Sequence, residues 1–243
     1  MAKVANLLTR IYLDEFDFSG VTHTTSMSIE PQLAVVTSFS DSGPRRVMGS
    51  YDHSSDFLGY FEPTANLQDA QLHTLTTDSA DHYLLHLWGD NTRGAIAYEQ
   101  IVHVSSKPLS ASIGEAVLLD AEFVGAGALS RGVLLTDGED TNTSTGNLTS
   151  VDIGTTSTSQ TLQAVFRVLA LTGSNVTLNV QQSSDDGSSD AFGTISGMTS
   201  GSLSAIGVVR TTTSAATERY KRINVAGTFD SVTFIVSLGV IAE

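Results

Sequence analysis

The sequence has 243 residues, of which 40% are hydrophobic, and a net charge of -14 from 12 basic and 26 acidic residues. This size allows one large or two smaller domains with hydrophobic cores. The absence of cysteine excludes disulfides and thiolate zinc sites. The acidic excess argues against binding of DNA phosphates, which depends on Lys and Arg. No apolar run is long enough to span a membrane, so we expect no membrane partner.

The composition changes near the middle of the chain. The stretch DGEDTNTSTG, residues 137–146, has no apolar residue and is typical of a linker or long turn. The residues after it are rich in Ser and Thr. We therefore predict a β domain over residues 1–137, a linker over 138–147, and a second β domain over 148–243.

The first half predicts strands and one short helix. Asn66 and Asp69 resemble a capping box, which indicates a helix start near Leu67. Leu67 and Leu75 are expected on the buried side of that helix. The remaining segments alternate in the manner of strands, and they lie at residues 11–18, 33–39, 50–61, 83–88, 94–105 and 115–124.

The segment 115–124 has one apolar face and one face that turns acidic. Val117, Leu119 and Phe123 share the apolar face, and we predict that they are buried. Asp120 and Glu122 alternate with them on the opposite face. Such a strand suits an antiparallel sheet with one dry and one wet side.

The second half predicts an all-β domain. Alternating segments at 162–169 and 176–181 are separated by the turn signal Gly173-Ser174-Asn175, and Asp185-Asp186-Gly187 predicts a hairpin. About seven short strands indicate an Ig-like or jelly-roll-like β-sandwich. The apolar face of these strands supplies the predicted core, namely Phe166, Val176, Leu178, Val180 and Phe234.

Two groups of polar residues could in principle hold a metal ion. His82 and His86 share a face, but no acidic residue completes a known zinc motif. Asp185, Asp186, Ser188 and Asp190 surround Gly187 without the spacing of a calcium loop. The sequence also lacks a nucleophile elbow and a phosphate-binding loop. We therefore expect no catalytic residue, no metal site and no cofactor, and predict that the protein is not an enzyme.

The first half resembles the tail tube proteins of long-tailed bacteriophages. The likeness covers roughly residues 5–136. It lies in the order of LLTRIYLDEFDFSG, the loop-rich SDSGPRRVMGSYDHSSDFLGYFEP, the helical ANLQDAQLHTL and the long strands of DHYLLHLWGDNTRGAIAYEQIVHVSSKPLSASIGEAVLLDAEFVGAG. The second half, which ends in AGTFDSVTFIVSLGV, looks like the β-sandwich modules appended to phage virion proteins.

This resemblance implies a structural virion protein that is assembled in the host cytoplasm. It implies hexameric rings that stack, with other tail proteins as partners, into a tube through which DNA passes without specific binding. From strand alternation, Asp120 and Glu122 are our candidates for the wall of the channel, although ordinary solvent-facing acids are the alternative. Two other functions remain open, an adhesin or carbohydrate-binding virion protein and a capsid decoration protein.

Overall fold

The computed structural model describes residues 9–37, 42–61 and 68–241, and this part of the chain is almost entirely β-strand with one helix, α1 (Gln68–Leu75). The strands up to the helix are β1 (Arg10–Leu13), β2 (Phe16–Asp17), β3 (Thr22–Val35) and β4 (Arg46–Tyr60). After it come β5 (His82–Leu87), β6 (Ile96–Ser106), β7 (Leu109–Ser110), β8 (Leu118–Leu134), β9 (Asp140–Asn142), β10 (Gly146–Asn147), β11 (Val151–Asp152), β12 (Leu162–Ser183), β13 (Gly193–Thr199), β14 (Gly207–Thr213) and β15 (Tyr220–Ile241). The predicted mostly-β fold with one short helix is confirmed. No helix in these ranges is long and apolar enough to cross a membrane.

The chain forms two compact units, and each is discontinuous in sequence. The large unit contains the chain up to Ser19, Tyr83–Gln100 and Ser130–Ile241. The small unit contains Gly20–His82 and Ile101–Leu129. The units therefore differ from the predicted division at residues 138–147. The physical reason within the large unit is that β1 pairs with β5, which ties the start of the chain to residues after the helix.

The large unit is organised around the two longest strands, β12 and β15. They pair antiparallel over almost their whole length, from Leu162 opposite Val240 to Ser183 opposite Tyr220. Strand β14 pairs with the first part of β12, and β13 with its last part. All five predicted core residues of this half are fully buried in one cluster, which confirms the alternation.

The predicted turn at residues 173–175 is instead an irregularity inside β12. The register of β12 with β15 shifts on both sides of Gly173, and the chain continues in the same strand. Gly173 has a φ of 136°, and a Cβ there would lie 2.4 Å from the Cα of Phe229. The close approach of the two backbones therefore requires glycine at this position, although the position lies inside a strand and not in a turn.

The predicted linker is part of the large unit's sheet. Strands β9 and β10 lie within residues 138–147, and both pair antiparallel with β15. Arg93 also forms an ion pair with Asp140, at 3.2 Å between Nη2 and Oδ2. The segment lacks apolar residues because its short strands are held by backbone hydrogen bonds and polar contacts rather than by a core.

The small unit contains the long β3–β4 hairpin, β7, α1 and parts of β6 and β8. Strand β4 pairs with β3 on one side and, over Ser54–Tyr60, with Leu118–Val124 of β8 on the other. Leu72 and Leu75 of α1 are buried. The prediction for Leu75 is confirmed, while Leu67 and the proposed helix cap at Asn66 lie outside the described residues.

Alternation along β8 is confirmed at two of the three predicted core positions. Leu119 and Phe123 are buried, but Val117 is 37% exposed, so its prediction is wrong. Strand β8 begins at Leu118, and Val117 precedes it. The two-residue period therefore places no constraint on Val117, because that period holds only inside a strand.

Candidate functional site: an acidic sheet face in the small unit

One face of the β3–β4–β8 sheet collects carboxylates from all three strands. Asp56 lies opposite Glu122, and two residues along the ladder Leu58 lies opposite Asp120. On the other side of β4, Glu30 lies opposite Asp52. Residues of β4 two apart share a face, so these side chains project to the same side of the sheet. We call Glu30, Asp52, Asp56, Asp120 and Glu122 the acidic face.

The partners of the acidic face are neutral. Ser26 Oγ donates to Asp56 Oδ2 at 2.7 Å, and Ser106 Oγ donates to Glu122 Oε2 at 2.8 Å. The strand segments that build the face, residues 22–31, 51–60 and 118–124, contain neither Lys nor Arg. None of the ion pairs found among the described residues involves these acids. Hydroxyl donors leave the carboxylate charge in place, so the face remains strongly negative.

The opposite face of the same sheet is dry. The rings of Phe57 and Phe123 stack with centroids 5.7 Å apart and an interplanar angle of 27°. Leu119 and Ala121 of β8 are fully buried beside them. Asp120 and Glu122 therefore lie on the wet side of a half-buried strand, as the alternation predicts.

A shallow pocket of about 360 Å³ lies beside the acidic face, and Glu30, Asp52 and Gly125 are among the residues that line it. His53, which also lines it, is buried and forms a hydrogen bond between its Nε2 and the carbonyl oxygen of Gly127, at 3.0 Å. Its ring lies over Gly125, where a Cβ would come within 2.8 Å of it. A larger residue at position 125 would displace the ring, so Gly125 and His53 are matched in size.

The two histidines proposed as possible metal ligands are buried in β5. His86 is 1% exposed, and its ring stacks on Trp88 at 5.4 Å. Burial lowers the pKa of His86 to about 4, so the ring is neutral at pH 7. Within the described residues, no group of three or more His, Asp or Glu side chains is placed to hold a metal ion. The pattern of His82 and His86 therefore reflects packing of a strand.

The acidic hairpin after β12 uses its carboxylates to hold its own backbone. Asp185 accepts backbone N–H bonds from Ser188, Ser189 and Asp190, the shortest at 2.7 Å. Asp190 Oδ2 accepts from both the backbone and the hydroxyl of Ser184, and these bonds lower the pKa of Asp190. Gly187 has a φ of 80°, as a tight turn requires. The hairpin predicted here is confirmed.

A buried ion pair in the large unit was not predicted from the sequence. Arg167 on β12 and Glu99 on β6 are almost fully buried, and two guanidinium nitrogens of Arg167 contact the two carboxylate oxygens of Glu99. Arg167 also donates to the carbonyl oxygens of Asp14 and Tyr83, at 2.9 and 3.0 Å. Ser237 Oγ donates to Glu99 Oε2 at 2.7 Å. The sequence signal was a charged residue inside each of two apolar strands.

Three aromatic residues in the second half of the large unit do not offer an open platform for a sugar ring. Phe166 and Phe234 are fully buried. Phe192 is covered by the guanidinium of Arg222, whose Cζ lies 3.9 Å from the ring centroid. Sugar recognition by stacking needs an exposed aromatic face, and these three rings do not provide one.

No protein-family model matches the chain, and no curated protein matches it. Its structure is similar to a chain from the virion of a native gene transfer agent particle, with 18% identity over 54% of this chain and 98% of that chain and a TM-score of 0.45. It is similar to the SPP1 tail tube, with 11% identity over 56% and 80% of the two chains and a TM-score of 0.43. The SPP1 Dit protein, described as a hub of the adsorption apparatus in phages that infect Gram-positive bacteria, matches 95% of this chain and 99% of its own at 10% identity and a TM-score of 0.35.

Proposed function

We propose that this protein is a structural virion subunit that self-assembles into stacked hexameric rings, and that these rings form a phage tail tube that conducts DNA. The observation that carries the proposal is the acidic face of the small unit. It combines five carboxylates, neutral hydroxyl partners and an apolar reverse side on three adjacent strands, β3, β4 and β8.

A negative, wet wall suits a DNA conduit for an electrostatic reason. Each Lys or Arg on such a wall would neutralise a phosphate, release counterions and slow the passage of DNA. Carboxylates repel phosphate and remain solvated in a water-filled channel, so their charge costs little there. We therefore assign Asp120 and Glu122 to the channel wall, together with Asp56, which lies opposite Glu122.

Self-assembly also fits the open edge of this sheet. Strand β3 has 14 residues and pairs with β4 on one side only among the described strands. A long unpaired edge is a ready template for another strand, and closing a sheet across subunits removes such edges. The proposed number of six subunits per ring is taken from the family that the first half resembles.

The test begins with electron microscopy of the purified protein, where we expect rings or tubes. Tubes of wild-type protein should retain no DNA at low salt. The variant Asp120→Lys/Glu122→Lys should fold and assemble, because the dry face is unchanged, but its tubes should retain DNA in a manner that high salt reverses.

A matched control is Asp81→Lys/Glu115→Lys, which makes the same change of net charge at two exposed residues outside the acidic face. It should assemble without retaining DNA. A wild-type protein that stays monomeric at high concentration would refute the tube. Equal DNA retention by both lysine variants would refute only the assignment of Asp120 and Glu122 to the channel wall.

A further inference from the structure

The far part of the β3–β4 hairpin is a two-stranded arm with exposed apolar side chains. We define the arm as residues 29–36 and 45–52. Leu33 pairs with Met48, and Ala34 pairs with Val47. Four of its large apolar side chains are more than half exposed, namely Leu33, Val35, Val47 and Met48. An isolated two-stranded hairpin is marginal in water, and contiguous exposed apolar side chains mark contact surfaces.

The charges of the arm are separated along its length. Arg45 and Arg46 are adjacent and exposed at the far end. Glu30 and Asp52 are also exposed, and they lie directly opposite each other at the near end. Like charges in this cross-strand position are destabilising. The near end therefore has two carboxylates that a cation would stabilise, and the far end has two guanidinium groups.

Arg45 and Arg46 cannot reach Glu30 and Asp52 of the same chain. Arg46 and Asp52 both lie on β4, with five residues between them. At a rise of about 3.3 Å per residue, this separation is roughly 20 Å, well beyond the length of an Arg side chain. The apolar side chains of the arm occupy the space between the two charged ends. These two charged ends of the arm can therefore pair with each other only if a second chain brings them together.

We propose that the arm is a self-docking element, in which Arg45 and Arg46 of one copy bind Glu30 and Asp52 of another copy and the apolar side chains between them are covered. Guanidinium–carboxylate pairs give strong, geometrically specific contacts, and complementary charges select the partner and the register. The inference rests on the proposed self-assembly and names the surface and the charge pairs that carry it.

The test is a charge exchange in the full chain, with assembly measured by light scattering and electron microscopy. Arg45→Glu/Arg46→Glu and Glu30→Lys/Asp52→Lys should each raise the protein concentration needed for assembly by more than about tenfold. Equal mixtures of these two variants should assemble, since each supplies the charge that the other lacks. The quadruple variant, which carries all four substitutions, should assemble without a partner variant. Circular dichroism and thermal unfolding of the monomers should stay at the wild-type values, because the exchanged residues are exposed.

The outcomes separate this inference from the proposed tube. If wild-type protein assembles and both charge variants assemble equally well, the arm contact is refuted and the tube stands. The contact is also refuted if both variants fold and fail to assemble, but neither the mixture nor the quadruple variant recovers. Assembly that needs a divalent cation and ignores Arg45→Glu/Arg46→Glu would show metal bridging of the carboxylates instead. Wild-type protein that remains monomeric refutes both proposals.

Discussion

Carboxylates have opposite roles in the two units. In the large unit, Glu99 is buried and is bound by Arg167 and Ser237. In the small unit, Glu122 is exposed and its described side-chain partner is the hydroxyl of Ser106. A buried charge must be paired to be tolerated, whereas a solvated charge needs no partner. Glu99 is therefore a structural requirement, whereas the fold does not depend on a partner for the charge of Glu122.

Removing the buried cation should give the largest effect. We expect Arg167→Met to lower the free energy of unfolding by about 3–5 kcal/mol, because it leaves the Glu99 carboxylate buried without a counter-charge. Denaturant unfolding measures this loss. The double variant Arg167→Met/Glu99→Met should recover much of it, since both charges are then gone. A loss below about 1 kcal/mol for the single variant would contradict the pairing.

The dry and wet sides of β8 can be compared at adjacent positions. Phe123→Ala removes a buried ring that stacks on Phe57 and should cost about 3–5 kcal/mol. Glu122→Ala, one residue away on the wet side, should change the free energy of unfolding by less than about 0.5 kcal/mol. Similar losses at the two positions would mean that the assigned register of β8 is wrong.

Lys221 is a buried basic residue that takes part in none of the ion pairs found among the described residues. Its Nζ donates to the carbonyl oxygen of Gly154 at 3.2 Å, and burial lowers the pKa of Lys221 from 10.5 to about 8. Below pH 8 the ammonium is present in both states and weakens the fold. The unfolded chain binds the proton more strongly, so stability should rise between pH 8 and 10.5, by at most about 1.4 kcal/mol per pH unit.

Replacing Lys221 by Met should remove that pH dependence and stabilise the protein at pH 7 by about 1–3 kcal/mol. Thermal or denaturant unfolding from pH 7 to 10.5 measures both effects. Lys221→Arg is the comparison variant, because Lys107, which is only partly exposed, already pairs with Asp69. It keeps the charge and should destabilise. A pH profile unchanged by Lys221→Met would contradict the depressed pKa.

Neutralising the acidic face should have the smallest effect on stability. Asp120→Asn/Glu122→Gln removes repulsion between Glu122 and Asp56, so we expect a gain within about 0.5 kcal/mol that disappears at high salt. Unfolding curves at low and high ionic strength measure it. A loss of more than about 1 kcal/mol would show that these carboxylates support the fold, as Glu99 does in the large unit.

Local pattern predicted the faces of individual strands well. Alternation placed Phe123 on the dry side of β8 and Glu122 on the wet side, and it identified Phe166 and Phe234 as core residues. These positions depend only on the two-residue period of a strand, which the sequence records directly. The acidic face was predicted for β8 alone. Its other members became visible only through the register of β3 and β4.

Long-range features could not be predicted in the same way. Gly173 was interpreted as part of a turn because Gly-Ser-Asn is typical of turns, yet here it lies inside β12 and permits a close approach to the backbone of β15 at Phe229. Glu99 and Arg167 are separated by many residues, and nothing local indicates that they meet. The discontinuous units likewise depend on which strands pair, such as β1 with β5. Tertiary contacts decide these features.

The pairing of β15 has a consequence for the order in which the chain can fold during synthesis. Strand β15 follows every other described strand in the sequence, and β8, β9, β10, β11 and β12 all pair with it. Until β15 leaves the ribosome, those strands expose unsatisfied edges, and pairings across such large sequence separations form slowly. The pairing of β3 with β4 does not depend on β15, because the two strands are consecutive in the sequence. The β3–β4 pairing can therefore begin early and is completed when β8 pairs with β4, while the later strands stay prone to aggregation until β15 is made.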